Sequence, residues 1–164
     1  MEAEIPFPRL QDPYGIAFWP EFKGRDGCRT PMPWTAQDKF GGFSTVEPWL
    51  PFAEEHREHA VDLQESNRSS VLNFCRTFLA WRRQHPALTS GRIRFIDAPE
   101  DVLAFIREHP HEQIVAAFNL AGDPASWSHS MSVASLEGHG FSGTLVSREI
   151  KLPPYAAFFG SVKA

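Results

Sequence analysis

The pattern of hydrophobic and polar residues changes character twice along the chain. Residues 1–50 show neither helical nor strand periodicity. They carry Pro6, Pro8, Pro13, Pro20, Pro31, Pro33 and Pro48 among Phe7, Tyr14, Phe18, Trp19, Phe22, Trp34, Phe40, Phe43 and Trp49. Proline fixes φ and removes a backbone donor, so this arm is expected to be irregular. Its aromatics cannot easily build a core of their own and call for an external surface. Asp12-Pro13-Tyr14-Gly15 reads as a turn into a short helical piece around residues 16–22, and Gly41-Gly42-Phe43-Ser44 as a flexible joint. Residues 51–66 are acidic and read as a solvated turn or loose helix.

Helical periodicity then appears over residues 68–84, with Ser66 or Asn67 as cap and Pro86 as stop. At about 100° per residue, Val71, Leu72, Phe74, Cys75, Phe78, Leu79 and Trp81 share one half of the cylinder. Asn73, Arg76, Thr77, Ala80 and Arg83 share the other. Arg82 falls within the apolar half, as a snorkelling stem with an ion partner in a neighbouring domain. Cys75 is read as a small buried hydrophobe. After Gly91 the period becomes two. Strands are predicted at 92–97, 102–107 and 113–120, the last two joined by a turn at His109-Pro110-His111-Glu112, with weaker ones at 130–134, 141–147 and 155–162. The fold class is therefore α+β, mostly β. An irregular aromatic-rich arm and one amphipathic helix precede an antiparallel β-sandwich or Greek-key domain.

Composition narrows the function. The chain has 164 residues and a net charge of −4, which gives no field for nucleic acid or an anionic membrane surface. No stretch has the apolar length of a membrane span. The start, Met1-Glu2-Ala3-Glu4-Ile5-Pro6, has no basic region or apolar run and is not read as a secretory signal. Cys28 and Cys75 are expected to be free thiols in a reducing cytoplasm. The histidines and cysteines lack zinc spacing, and no phosphate-binding or dinucleotide glycine loop occurs, so neither metal nor cofactor is expected. Trp19, Trp34, Trp49 and Trp127 could stack on sugars, but burial is the default reading of each.

Candidate chemistry gathers in Gly24-Arg25-Asp26-Gly27-Cys28-Arg29-Thr30-Pro31-Met32-Pro33-Trp34, a loop stiffened by proline that holds two arginines. Glycoside hydrolysis needs two carboxylates facing across a sugar. Asp12, Glu21 and Asp26 do not end recognisable strands and are read as turn acceptors or partners of Arg9, Lys23 or Arg25.

Together with Gln11-Asp12-Pro13-Tyr14-Gly15 and Trp19-Pro20-Glu21-Phe22-Lys23, this loop resembles the α-glucosidase branch of the α-amylase family of glycoside hydrolases, in particular its oligo-1,6-glucosidase-like members. The resemblance implies that residues 1–88 are the remnant of a (β/α)8 barrel, containing the loop after its last strand and its final helix at 68–84. Residues 89–164 would be the C-terminal antiparallel domain. It also implies a substrate-binding role for Arg29, which in the family reaches sugar hydroxyls at the subsite of the non-reducing glucose. A structural ion pair of Arg29 with Asp26 or an upstream acid is the alternative. The family's nucleophile, acid/base and third carboxylate match no position here.

The resulting expectation is the C-terminal part of a retaining α-glucosidase acting on short α-linked glucosides, inactive without the missing barrel domain. A stand-alone module binding carbohydrate or protein through its exposed aromatics is the rival. Self-association, with the arm of one copy covering the helix of another, is a third reading.

Overall fold

The computed structural model describes residues 2–163. The chain divides into two compact units, 1–73 and 74–164. The division falls inside the predicted helix.

The first unit is short turns and helices. Helix α1 spans Pro13–Ala17, earlier than the expected 16–22, because Asp12 caps it and Pro13 fits its first turn. Gly15 is enforced by contact: a Cβ there would lie 2.5 Å from the carbonyl oxygen of Lys23. The acidic stretch is a 3-10 helix at Glu54–His59 followed by α2 at Val61–Ser66, both largely exposed. The arm also has a small core of its own, Ala3, Ile5, Leu10 and Ala53 against Trp19, contrary to expectation.

The glycine pair is likewise no loose joint. The amides of Trp34 and Thr35 both donate to the carbonyl of Gly41, and the amide of Gly41 donates to Asp38. Arg57 ties down the same loop by donating to the carbonyls of Ala36, Asp38 and Lys39 (2.6–3.0 Å).

Helix α3 spans Val71–Arg83. The hydroxyl of Ser70, rather than Ser66 or Asn67, accepts from the amide of Asn73 (3.2 Å), with the side chain of Asn67 capping only the turn before it. Phe74, Phe78 and Trp81 pack on Phe141 and Phe159, with ring centroids 5.1–5.9 Å apart. Val71, Cys75 and Leu79 are exposed, so the apolar half of the helix is only half covered and Cys75 is not a buried residue. Arg82 is half-buried, and no carboxylate pairs with it among the described residues. A further short helix, α4, spans Pro86–Ser90.

Eight strands follow: β1 Arg92–Phe95, β2 Val102–His109, β3 Glu112–Asn119, β4 Ala125–Ser128, β5 Val133–Ser135, β6 Thr144–Val146, β7 Glu149–Leu152 and β8 Ala157–Val162. They form two wholly antiparallel sheets, ordered β1-β2-β3-β8-β5 and β4-β7-β6. The β2–β3 hairpin turns where the sequence places it.

Strand β3 is buried on both faces because the smaller sheet packs on one and helices α3 and α4 on the other. Val115 and Ala117 join Val102, Ala104, Ile106, Phe158 and the residues Trp127, Ile150 and Leu152 of the smaller sheet in one cluster. Ile114 and Ala116 face Trp81, Leu88 and Phe159 in the other. Ala116 sits opposite both Phe105 and Phe159, so a small residue makes room for two rings. Strands β4 and β7 were not anticipated. They are four residues each, below the length at which alternation stands out.

Candidate functional site

The stretch around Arg29 is built by a reciprocal latch between two aspartates. Asp26 opens a 3-10 turn, Asp26–Cys28, and its side chain is fully buried. A buried carboxylate needs donors. Its Oδ2 accepts from the amides of Gln11 (2.6 Å) and Asp12 (2.8 Å), holding the entrance to α1. Asp12 returns the contact. Its Oδ1 accepts from the amide of Tyr14 (3.0 Å) and its Oδ2 from the amide of Arg25 (2.9 Å). Gly24, at φ +73°, lets the two segments close, since a Cβ there would stand 2.9 Å from that of Asp12.

Arg29 lies where the latch leaves negative charge uncovered. Its Nη1 is 3.6 Å from Oδ2 of Asp12 and 3.9 Å from Oδ1 of Asp26. Its side chain is 48% exposed, so a charged edge remains open to solvent. The pKa of Asp12 is lowered, first by the amide of Arg25, then by that of Tyr14, with a smaller contribution from the charge of Arg29.

Beside Arg29 opens a cavity of about 560 Å³, lined also by Arg25, Asp12 and Glu21 and by Tyr14, Phe18 and Phe22. Tyr14 stacks on Phe18 (5.5 Å) and meets Phe22 edge-on (6.5 Å). A guanidinium beside an aromatic wall suits a polyhydroxylated ring, whose hydroxyls accept from the fork while its C–H face lies on the rings.

The structure thus brings Arg29 together with both Asp12 and Asp26, so the structural ion pair and an open guanidinium coexist. Asp12 and Glu21 border the same cavity, yet Asp12 does not suit a general acid. That role needs a raised pKa, and every amide on Asp12 pushes the other way.

The aromatic wall was not foreseen, although the four-residue spacing of Tyr14, Phe18 and Phe22 could have marked it. Of the tryptophans, Trp127 is buried and Trp19 half-buried, but Trp34 and Trp49 are exposed, against the expectation of burial. Among the described residues no cluster of three or more His, Cys, Asp or Glu side chains is placed to hold a metal. No helix among them is long and apolar enough to cross a membrane.

Comparison with known proteins gives this geometry a family. The model of the α-amylase catalytic domain matches residues 9–91. A probable α-glucosidase of Rhizobium meliloti is 46% identical over 159 residues, covering 96% of this chain and 29% of that protein. A probable oligo-1,6-glucosidase of Bacillus subtilis is 33% identical over 110 residues, 66% of this chain and 20% of that protein. The crystal structure of an α-glucosyl transfer enzyme, XgtA, superposes with a TM-score of 0.90 at 44% identity, over 99% of this chain and 30% of the other. The chain therefore spans under a third of the length of these relatives. With its Arg29 loop inside the matched segment, the chain belongs to the α-amylase family.

Proposed function

We propose that this chain is part of a retaining α-glucosidase that hydrolyses short α-linked glucosides, and that Arg29 binds the substrate. Residues 1–88 are then the remnant of the catalytic barrel, ending in its final helix. Residues 89–164 are the C-terminal antiparallel domain, of sandwich or Greek-key type. The reacting carboxylates belong to the part of the relatives' length that this chain does not span, so the chain alone is inactive.

The observation that carries the reading is the half-exposed guanidinium of Arg29, anchored on two aspartates at the edge of an aromatic-walled cavity. The exposed line of Val71, Cys75 and Leu79 on α3 supports it, as a face shaped for a further layer of protein.

The test is a chimera in which this chain replaces the matching segment of the Rhizobium meliloti relative. It is expected to turn over p-nitrophenyl α-glucoside. Changing Arg29→Ala should lower kcat/KM on the order of a hundredfold, the usual cost of removing one fixed donor from a reacting substrate. A folded chimera without turnover, or an Arg29→Ala variant as active as its parent, would sink the reading.

A further inference from the structure

We propose that Asp26 is a positioning residue acting through Arg29, an inference that rests on the reading of Arg29 as substrate-facing. Two amides could be satisfied by a neutral oxygen. Asp26 instead places a full charge where water does not reach, and only its Oδ2 is used by the amides of Gln11 and Asp12. Its Oδ1 is buried without any hydrogen bond. Leaving such an oxygen unpaired is costly unless a charge nearby compensates it. That charge is Arg29, whose Nη1 lies 3.9 Å away.

The same nitrogen is 3.6 Å from Asp12. Neither distance is that of a strong charge-assisted hydrogen bond. The guanidinium is held by the joint field of two carboxylates rather than consumed by either. Among the described residues its contacts with acids run through Nη1, which leaves Nε and Nη2 to donate to a ligand. Of the two acids, Asp26 is the fully buried one, held through Oδ2 by two successive amides of the facing segment. Its Oδ1 therefore faces the fork with no hydrogen bond of its own, whereas both oxygens of Asp12 are already engaged by amides.

The test has two arms. In the active chimera, Asp26→Asn should lower kcat/KM about tenfold, mainly through KM, and change it less than about twofold when Arg29 is already alanine. An equal loss in both backgrounds would mean that Asp26 only supports the loop, and no loss at all would overturn the proposal outright. The second arm needs no activity: nitrogen NMR of the Arg29 guanidinium in this chain. Hindered rotation is expected in the parent, and averaging in Asp26→Asn, which keeps an oxygen at the same reach for the amides and removes the charge. A freely rotating Arg29 in the unaltered chain overturns the proposal even if that variant does not fold. Hindered rotation combined with an Arg29→Ala chimera of full activity would keep the Asp26–Arg29 link and reject the substrate role of Arg29.

Discussion

Asp12 serves three partners with two oxygens: it caps α1, holds the amide of Arg25 and faces Arg29. All three favour its charged form, so its pKa falls below the ordinary 3.8. A carboxyl with a depressed folded value contributes stability that is present above its unfolded pKa and lost as pH falls through the folded one. The melting temperature of the chain is accordingly expected to drop as pH falls below the ordinary carboxyl value of 3.8, and to drop less in Asp12→Asn. Equal acid sensitivity in the two proteins would assign the effect to other carboxyls. At neutral pH the variant should retain much of the helix cap, because asparagine is as good a cap as aspartate.

Helix α3 shows how an amphipathic pattern can be correct and incomplete. The apolar residues occupy one half of the cylinder, but Phe159 of β8 and Phe141 of the loop before β6 cover only the part bearing Phe74, Phe78 and Trp81. Trp81 is enclosed by Phe78, His85, His139 and Phe159, with centroids 4.7–5.8 Å away. Replacing it with alanine empties a filled site and is expected to cost about 3–5 kcal/mol in urea unfolding. Leu79→Ala, on the uncovered strip, should cost under about 1 kcal/mol, since little surface there is removed from water. Similar losses at both positions would show that the strip is covered in solution. The hairpin is anchored differently. Glu112 accepts from the amide of Ala87 (2.8 Å) and meets His85 (3.2 Å), joining the start of α4 to β3.

Uncovered apolar surface recurs on the larger sheet. Phe95, 65% exposed, leads a line of rings through Phe105 and Phe118 to Phe159, and Ile93, Leu103 and Leu120 are exposed as well. A patch of this kind ordinarily marks contact with more protein. The isolated chain is therefore expected to show no turnover of p-nitrophenyl α-glucoside and no saturable change in tryptophan fluorescence with maltose. In sedimentation it should associate with rising concentration, and Phe95→Lys should weaken that association. Saturable quenching at millimolar maltose would favour a self-sufficient sugar-binding module, carried by exposed rings such as Trp34 and Trp49. A clean monomer at all concentrations would mean that the patch does not drive self-association.

Features carried by neighbours in sequence were legible before any coordinates. The period of α3, the alternation and turn of the β2–β3 hairpin, and the proline-stiffened loop around Arg29 each arise within a few residues, where backbone geometry translates spacing directly into a face or a bend. Which half of an apolar helix face is covered depends on strands far along the chain, so Cys75 and Leu79 could not be told from Phe74 and Phe78. Strands β4 and β7 exist because partners pair with them and bury Trp127, Ile150 and Leu152, not because of any pattern of their own. The meeting of Asp12, Asp26 and Arg29 depends on Gly15 and Gly24 letting two backbones approach, a long-range steric condition that local spacing does not encode.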